Sequence, residues 1–273
     1  MKNNKLALTL ALAFGLTGLA RADGLAAIQA VDNEAGISFT RTNLDYHEPD
    51  SLYSTGTPNL DRESGNVNGF TLNVSVLRNL LLGNDYLAAK ISRVSGTVGY
   101  YGFRGGGTAY NGASGATLLD YSLRYGHAFV ADEAAVFVPY LEIGRHTWSR
   151  NVGNGVPGGY AENYQHNYVG VGVLAQYAVA NSLVVSADLM TAQMFGAHIS
   201  VSSSGLNENL GNNPIVHVGL NADYAVWQNV HLTASMGWTH YSYGESAMNS
   251  TGYYEPASAT GIRTASVGLA YSF

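Results

Sequence analysis

A short phrase recurs four times at near-equal spacing. It reads Leu123-Arg124-Tyr125-Gly126, Ala175-Gln176-Tyr177-Ala178, Ala222-Asp223-Tyr224-Ala225 and Leu269-Ala270-Tyr271-Ser272-Phe273. The tyrosines lie 52, 47 and 47 residues apart, and each closes a stretch in which apolar residues alternate with small or polar ones. Alternation is the period of a β-strand, whose successive side chains point to opposite faces. A strand–turn–strand unit repeated at this interval, with an aromatic residue at the same end of every second strand, is what a membrane-spanning β-barrel requires.

Reading with a period of two predicts ten strands, near 34–46, 66–77, 85–95, 116–127, 135–148, 163–178, 183–195, 214–225, 230–243 and 261–273. In the second, Phe70, Leu72, Val74 and Val76 take one face and Gly69, Thr71, Asn73 and Ser75 the other. A lipid-facing outside and a polar lumen account for both faces at once. Connections alternate between short (78–84, 128–134, 179–182, 226–229) and long, Gly/Ser/Asn-rich ones. The expected architecture is therefore all-β: a closed, antiparallel, up-and-down transmembrane barrel of ten strands, with eight or twelve as alternatives. Short turns and both termini are expected on the periplasmic side.

The start of the chain reads as an exported one. Lys2 and Lys5 precede an apolar run from Leu6 to Ala20, and Ala20-Arg21-Ala22 supplies small residues for cleavage. Residues 1–22 are expected to be a cleaved signal peptide and 23–273 the barrel. Removing Lys2, Lys5 and Arg21 moves the formal charge from −6 to −9. The chain has no cysteine, so no disulfide supports it. Charged residues make up only 12%, yet mean hydropathy is −0.01, as expected if apolar residues occupy every second position rather than one long run.

At this point the chain resembles the small outer-membrane β-barrel proteins of Gram-negative bacteria, the group of the OmpA-type membrane domain and the opacity-type surface proteins. The resemblance rests on the leader, the alternation through 34–273, and the end Val267-Gly268-Leu269-Ala270-Tyr271-Ser272-Phe273. It implies location in the outer membrane and recognition of the terminal Phe273 by the barrel-assembly machinery. It implies no particular activity.

Charge placement gives the candidate sites. Arg41, Arg93, Arg145 and Arg263 share the outward phase near the long-loop end. An outward arginine at mid-bilayer costs roughly 2–4 kcal/mol, falling towards zero at the interface. Their expected role is contact with lipopolysaccharide phosphates, with simple snorkelling to water as the alternative. Lys90, Asp120, Arg124, Glu142, Asp188, His217 and Asp223 share the lumen phase and are expected to form a mid-depth network. Tyr125, Tyr177, Tyr224, Tyr271 and Phe273 are expected to form a periplasmic aromatic girdle.

Other chemistry finds little support. The eight histidines are scattered, and the closest approach to a site is Asp45-Tyr46-His47 at the outer end of the first strand, the place a rim hydrolase of the omptin kind would use. Gly105-Gly106-Gly107 lacks the lysine of a phosphate loop, and no basic, aromatic-interleaved patch suggests nucleic acid. No cofactor or metal is expected. Loop tyrosines (Tyr53, Tyr110, Tyr160, Tyr253, Tyr254) leave room for an extracellular ligand. The sequence thus favours a non-enzymatic barrel with a mostly filled lumen and a structural or surface role. A narrow cation-preferring channel comes second, since acids outnumber bases in the lumen set, and a rim hydrolase third.

Overall fold

The computed structural model describes residues 24–49, 59–104, 108–153, 159–250 and 252–273. The expected signal peptide, Tyr53 and Gly105-Gly106-Gly107 lie outside the described residues. The chain forms helix α1 (Gly24–Val31), then strands β1 (Glu34–Pro49), β2 (Asn59–Arg78), β3 (Asp85–Arg104), β4 (Thr108–His127), β5 (Phe129–Asp132) and β6 (Ala135–Val152). It continues with β7 (Tyr160–Ala180), β8 (Leu183–Val201), β9 (Leu206–Asn209), β10 (Gly211–Trp227), β11 (Val230–Gly244) and β12 (Ser258–Ser272). Ten long strands pair antiparallel around a ring, which closes where β12 meets β1 and β8 meets β10. The four-residue strands β5 and β9 are side extensions on β6 and β8. Closure gives each of the ten long strands a partner on both sides, the condition for crossing lipid with strands. The architecture is the expected ten-stranded barrel.

Two zones of opposite polarity divide it. Towards the short-turn end, Phe39, Phe70, Leu123, Leu141, Leu220 and Val267 are between 52% and 60% exposed, so the apolar phase points outward. Inside this zone runs a belt of hydroxyls. Thr40 Oγ1 meets Thr71 Oγ1 at 2.7 Å and Ser266 Oγ at 2.9 Å, and Thr71 donates to Ser92 at 2.9 Å. Towards the long-loop end the outward residues become polar, including Ser64, Asn66, Ser149 and Asn163. Here the interior is apolar: Leu44, Val67, Trp148 and Ile199 are fully buried. This half is built as a water-soluble barrel is, and it rises beyond the apolar outer band.

The second zone is where the structure departs from the alternation-based boundaries. β2 begins at Asn59 rather than 66, β3 runs on to Arg104 rather than 95, and β4 starts at Thr108 rather than 116. Segments that read as loops are strands because their polar side faces water and their apolar side faces in. In β8 the face also changes. Gly196 adopts φ +61°, a conformation that glycine takes without steric cost. The pairing with β7 slips opposite it, between Gln165 and Asn167. Beyond this bulge Ala197, Ile199 and Val201 turn inward.

Candidate functional site: a chamber in the lumen

The lower zone contains a cavity of about 380 Å³. Its main charged group is Arg124 on β4. Arg124 Nε donates to Glu142 Oε2 at 2.8 Å, and an Nη donates to Asp188 Oδ2 at 3.0 Å. Tyr168 donates to Glu142 Oε1 at 2.8 Å, Tyr140 donates to Asp188 Oδ1 at 2.5 Å, and the guanidinium lies 3.7 Å from the Tyr140 ring centroid. Both rings are positioned by glycines on adjacent strands. A Cβ built at Gly144 would lie 2.4 Å from Tyr168, and one at Gly172 would lie 2.4 Å from Tyr140. A buried ionic group is tolerable only when its lone pairs and protons are satisfied in this way.

The remaining lumen residues divide among other partners. Asp120 pairs with His146 at 2.6 Å, whose far nitrogen meets Tyr241 Oη at 3.0 Å. His217 Nδ1 meets Thr239 Oγ1 at 2.8 Å. Lys90 faces the cavity and forms no ion pair among the described residues. Asp223 corrects the expectation of a single mid-depth network. Although it shares the lumen phase, it sits at the short-turn end against Glu34 and His231, because its place near the end of β10 fixes its depth.

The chamber is shut below by α1. The helix contacts β6, β7 and β8 and reaches β2 through Ser75, which donates to the Val31 carbonyl at 3.2 Å. Ile28 is 1% exposed, and Gln176 donates to Asp32 at 2.7 Å. Gly24 is required there, since a Cβ would lie 2.7 Å from the Glu133 carbonyl oxygen.

It is shut above by an aromatic layer. Trp148 stacks on Tyr164 with centroids 5.3 Å apart, Tyr164 stacks on Tyr243 at 5.6 Å, and Tyr46 meets Trp148 edge-on at 5.0 Å. Beyond it lies Arg150, fully buried, which donates to Glu162 Oε2 at 2.6 Å, Glu63 Oε1 at 2.9 Å, Asp61 Oδ2 at 3.1 Å and Tyr164 Oη at 3.1 Å. Glu48 accepts from Tyr46 at 2.6 Å, and Glu255 accepts from Tyr164. This layer was not among the expected sites. Its signal was the i, i+2 spacing of Tyr46/Glu48, Asp61/Glu63, Trp148/Arg150 and Glu162/Tyr164, hidden in stretches read as loop edges.

Glu255 comes from the long connection between β11 and β12, folded into the mouth. Its amide donates to Ser246 Oγ at 2.8 Å, and its carbonyl accepts from the Ser246 amide at 3.0 Å. Burial, then the neighbouring Glu162 carboxylate, push Glu255 up to about 8. Burial and Glu255 itself likewise push Glu48 up to about 8. The folded-in loop therefore holds a proton that an exposed glutamate, titrating near 4.5, gives up. Loop closure is expected to be strongest below about pH 4.5 and to weaken as pH rises towards 8. Amide protection of residues 245–250, corrected for the intrinsic pH dependence of exchange, should fall across that window in the wild type and change far less in Glu255→Gln. A flat wild-type protection profile would contradict the assignment.

The surface sets lie as follows. Arg41, Arg93 and Arg263 are exposed on the outer face, and Arg263 reaches Asn43 Oδ1 at 3.5 Å. Arg145 is half-buried against Gln165 and Asn167. All four fall on β12, β1, β3 and β6, spread over an arc of six of the ten ring strands. Tyr177, Tyr224, Tyr271 and Phe273 are exposed at the short-turn end, while Tyr125 is half-buried and donates to Asp85 at 2.7 Å. Asp45 points outward to Arg62 at 3.5 Å, and His47 follows on the same outer face.

A closed ring of ten antiparallel strands with an apolar outer band and a polar interior defines a transmembrane barrel of the outer-membrane type. Outer membrane protease OmpT from Escherichia coli shares the fold, with a TM-score of 0.54 at 11% identity over 89% of this chain and 97% of that one. The attachment invasion locus protein Ail of Yersinia pestis (TM-score 0.34, 11% identity, 89% and 99% covered) is a weaker likeness. So is Neisserial surface protein A (0.33, 12%, 88% and 97%). The chain matches no protein-family model and no curated protein.

Proposed function

We propose that this is a non-enzymatic outer-membrane barrel with a non-conducting lumen, whose tall outer half presents loops for structural or surface contacts. One observation carries the reading: α1 packs across the lumen below the cavity and the Trp148/Tyr164/Arg150 layer packs across it above. In this reading residues 1–22 are the export signal, α1 and both termini are periplasmic, and Phe273 engages the assembly machinery. Planar-bilayer recordings of the wild-type protein are expected to show no steady conductance. A persistent open level would favour instead the narrow cation-preferring channel, which the chamber acids Asp120, Glu142 and Asp188 support. The hydrolase reading loses ground because Asp45 is engaged by Arg62 on the outer surface. Unchanged behaviour of Asp45→Ala/His47→Ala in peptide- and lipid-cleavage assays is the expected outcome.

The outward arginines are proposed to contact lipopolysaccharide phosphates as a partial ring around the barrel. Replacing Arg41, Arg93, Arg145 and Arg263 by Gln is expected to reduce co-purified lipopolysaccharide severalfold with little loss of stability, since each lies near the interface. Undiminished lipopolysaccharide would leave them as snorkelling residues.

A further inference from the structure

We propose that Glu34, Asp223 and His231 form a binding site for one divalent transition-metal ion, zinc by donor type, which staples the barrel across its closing seam. Glu34 opens β1, Asp223 lies near the end of β10, and His231 lies near the start of β11. One potential ligand atom from each lies within 4.8 Å of the other two. His231 Nδ1 meets Asp223 Oδ1 at 2.5 Å. All three side chains are more than nine-tenths buried, and Glu34 Oε2, Asp223 Oδ2 and His231 Nε2 have no hydrogen-bond partner.

Charge balance points the same way. Asp32, 1% exposed and with its own Oδ2 unpartnered, adds a further acid at this end of the lumen. Among the described residues no lysine or arginine pairs with Glu34, Asp223 or Asp32. Adjacent buried carboxylates without a cation are costly, and a 2+ ion neutralises two at once. Two carboxylate oxygens and one imidazole nitrogen suit zinc, bonded at roughly 2.0–2.2 Å, with the chamber leaving room for water as a fourth ligand. Calcium, which takes about six to eight oxygens, fits this set poorly. Such an ion would tie β1 to the β10–β11 hairpin across β12, the strand on which the ring is completed. Every ligand belongs to the described barrel, so the inference does not depend on whether the lumen conducts.

The test uses chelator-stripped, refolded full-length barrel without an affinity tag, titrated with zinc chloride by calorimetry and with cobalt(II) by visible absorption. The expected result is one ion per chain and a raised melting temperature. Affinity should weaken by on the order of 100-fold in His231→Ala and in the near-isosteric Asp223→Asn. His217→Ala, which alters a lumen histidine outside the cluster, should bind as the wild type does. No stoichiometric uptake by folded wild type would overturn the proposal and leave a proton shared between Glu34 and Asp223. Equal uptake by wild type and both ligand variants would overturn it as adventitious binding elsewhere.

Discussion

Replacing Arg150 by methionine is expected to cost about 3–5 kcal/mol of stability, the cost of leaving buried charge uncompensated. The side chain is fully buried and donates to Asp61, Glu63 and Glu162 at once, with the Tyr46 ring centroid 4.8 Å from its guanidinium carbon. Without it, five carboxylates (Glu48, Asp61, Glu63, Glu162 and Glu255) share the mouth with no cation among the described residues. These orphaned acids must take up protons to stay buried, so the deficit should be smallest in acid and grow as pH rises. Arg150→Lys should fall between, because one ammonium cannot match the planar fork that reaches three carboxylates. Thermal unfolding in detergent, read by the heat-dependent gel shift of folded barrels, measures both. A variant as stable as wild type at every pH would show that the acids are not balanced by Arg150.

Opening both closures together is expected to convert a silent barrel into a conducting one. α1 and the aromatic layer block the lumen in series, so removing either leaves the other in place. Displacing the helix with Ile28→Arg should leave bilayers silent, as should Trp148→Ala/Tyr164→Ala alone. The triple variant should conduct, and should prefer cations, since Asp32, Glu34, Asp120, Glu142 and Asp188 outnumber Lys90 and Arg124 along the path. Each large aromatic truncation costs about 3–5 kcal/mol, so the gel shift must first show that the variants fold. A folded triple variant with no conductance would place a further block in the lumen. Conductance from either partial variant would show that the two closures are not independent.

The expected strand count and closure stand, because lipid imposes a strict period of two over the membrane band. Phe70, Leu72 and Val74 cannot be read otherwise. Above the band that pressure reverses. The outward positions of β1, Arg41, Asn43 and Asp45, are polar while Leu44 and Tyr46 turn in, so an outside-apolar template reads these residues as a strand ending. Tyr46 and Glu48, at the margin of the expected first strand, prove to be the wall of the upper closure. The sequence by itself determined the ring, its antiparallel order and, within the apolar band, which residues face the lumen, since alternation and turn length are local properties. Only the tertiary structure decided which lumen residues meet. Strand tilt and register set depth, placing Asp223 beside Glu34 and His231, and bringing Arg150 to acids more than eighty residues earlier in the chain.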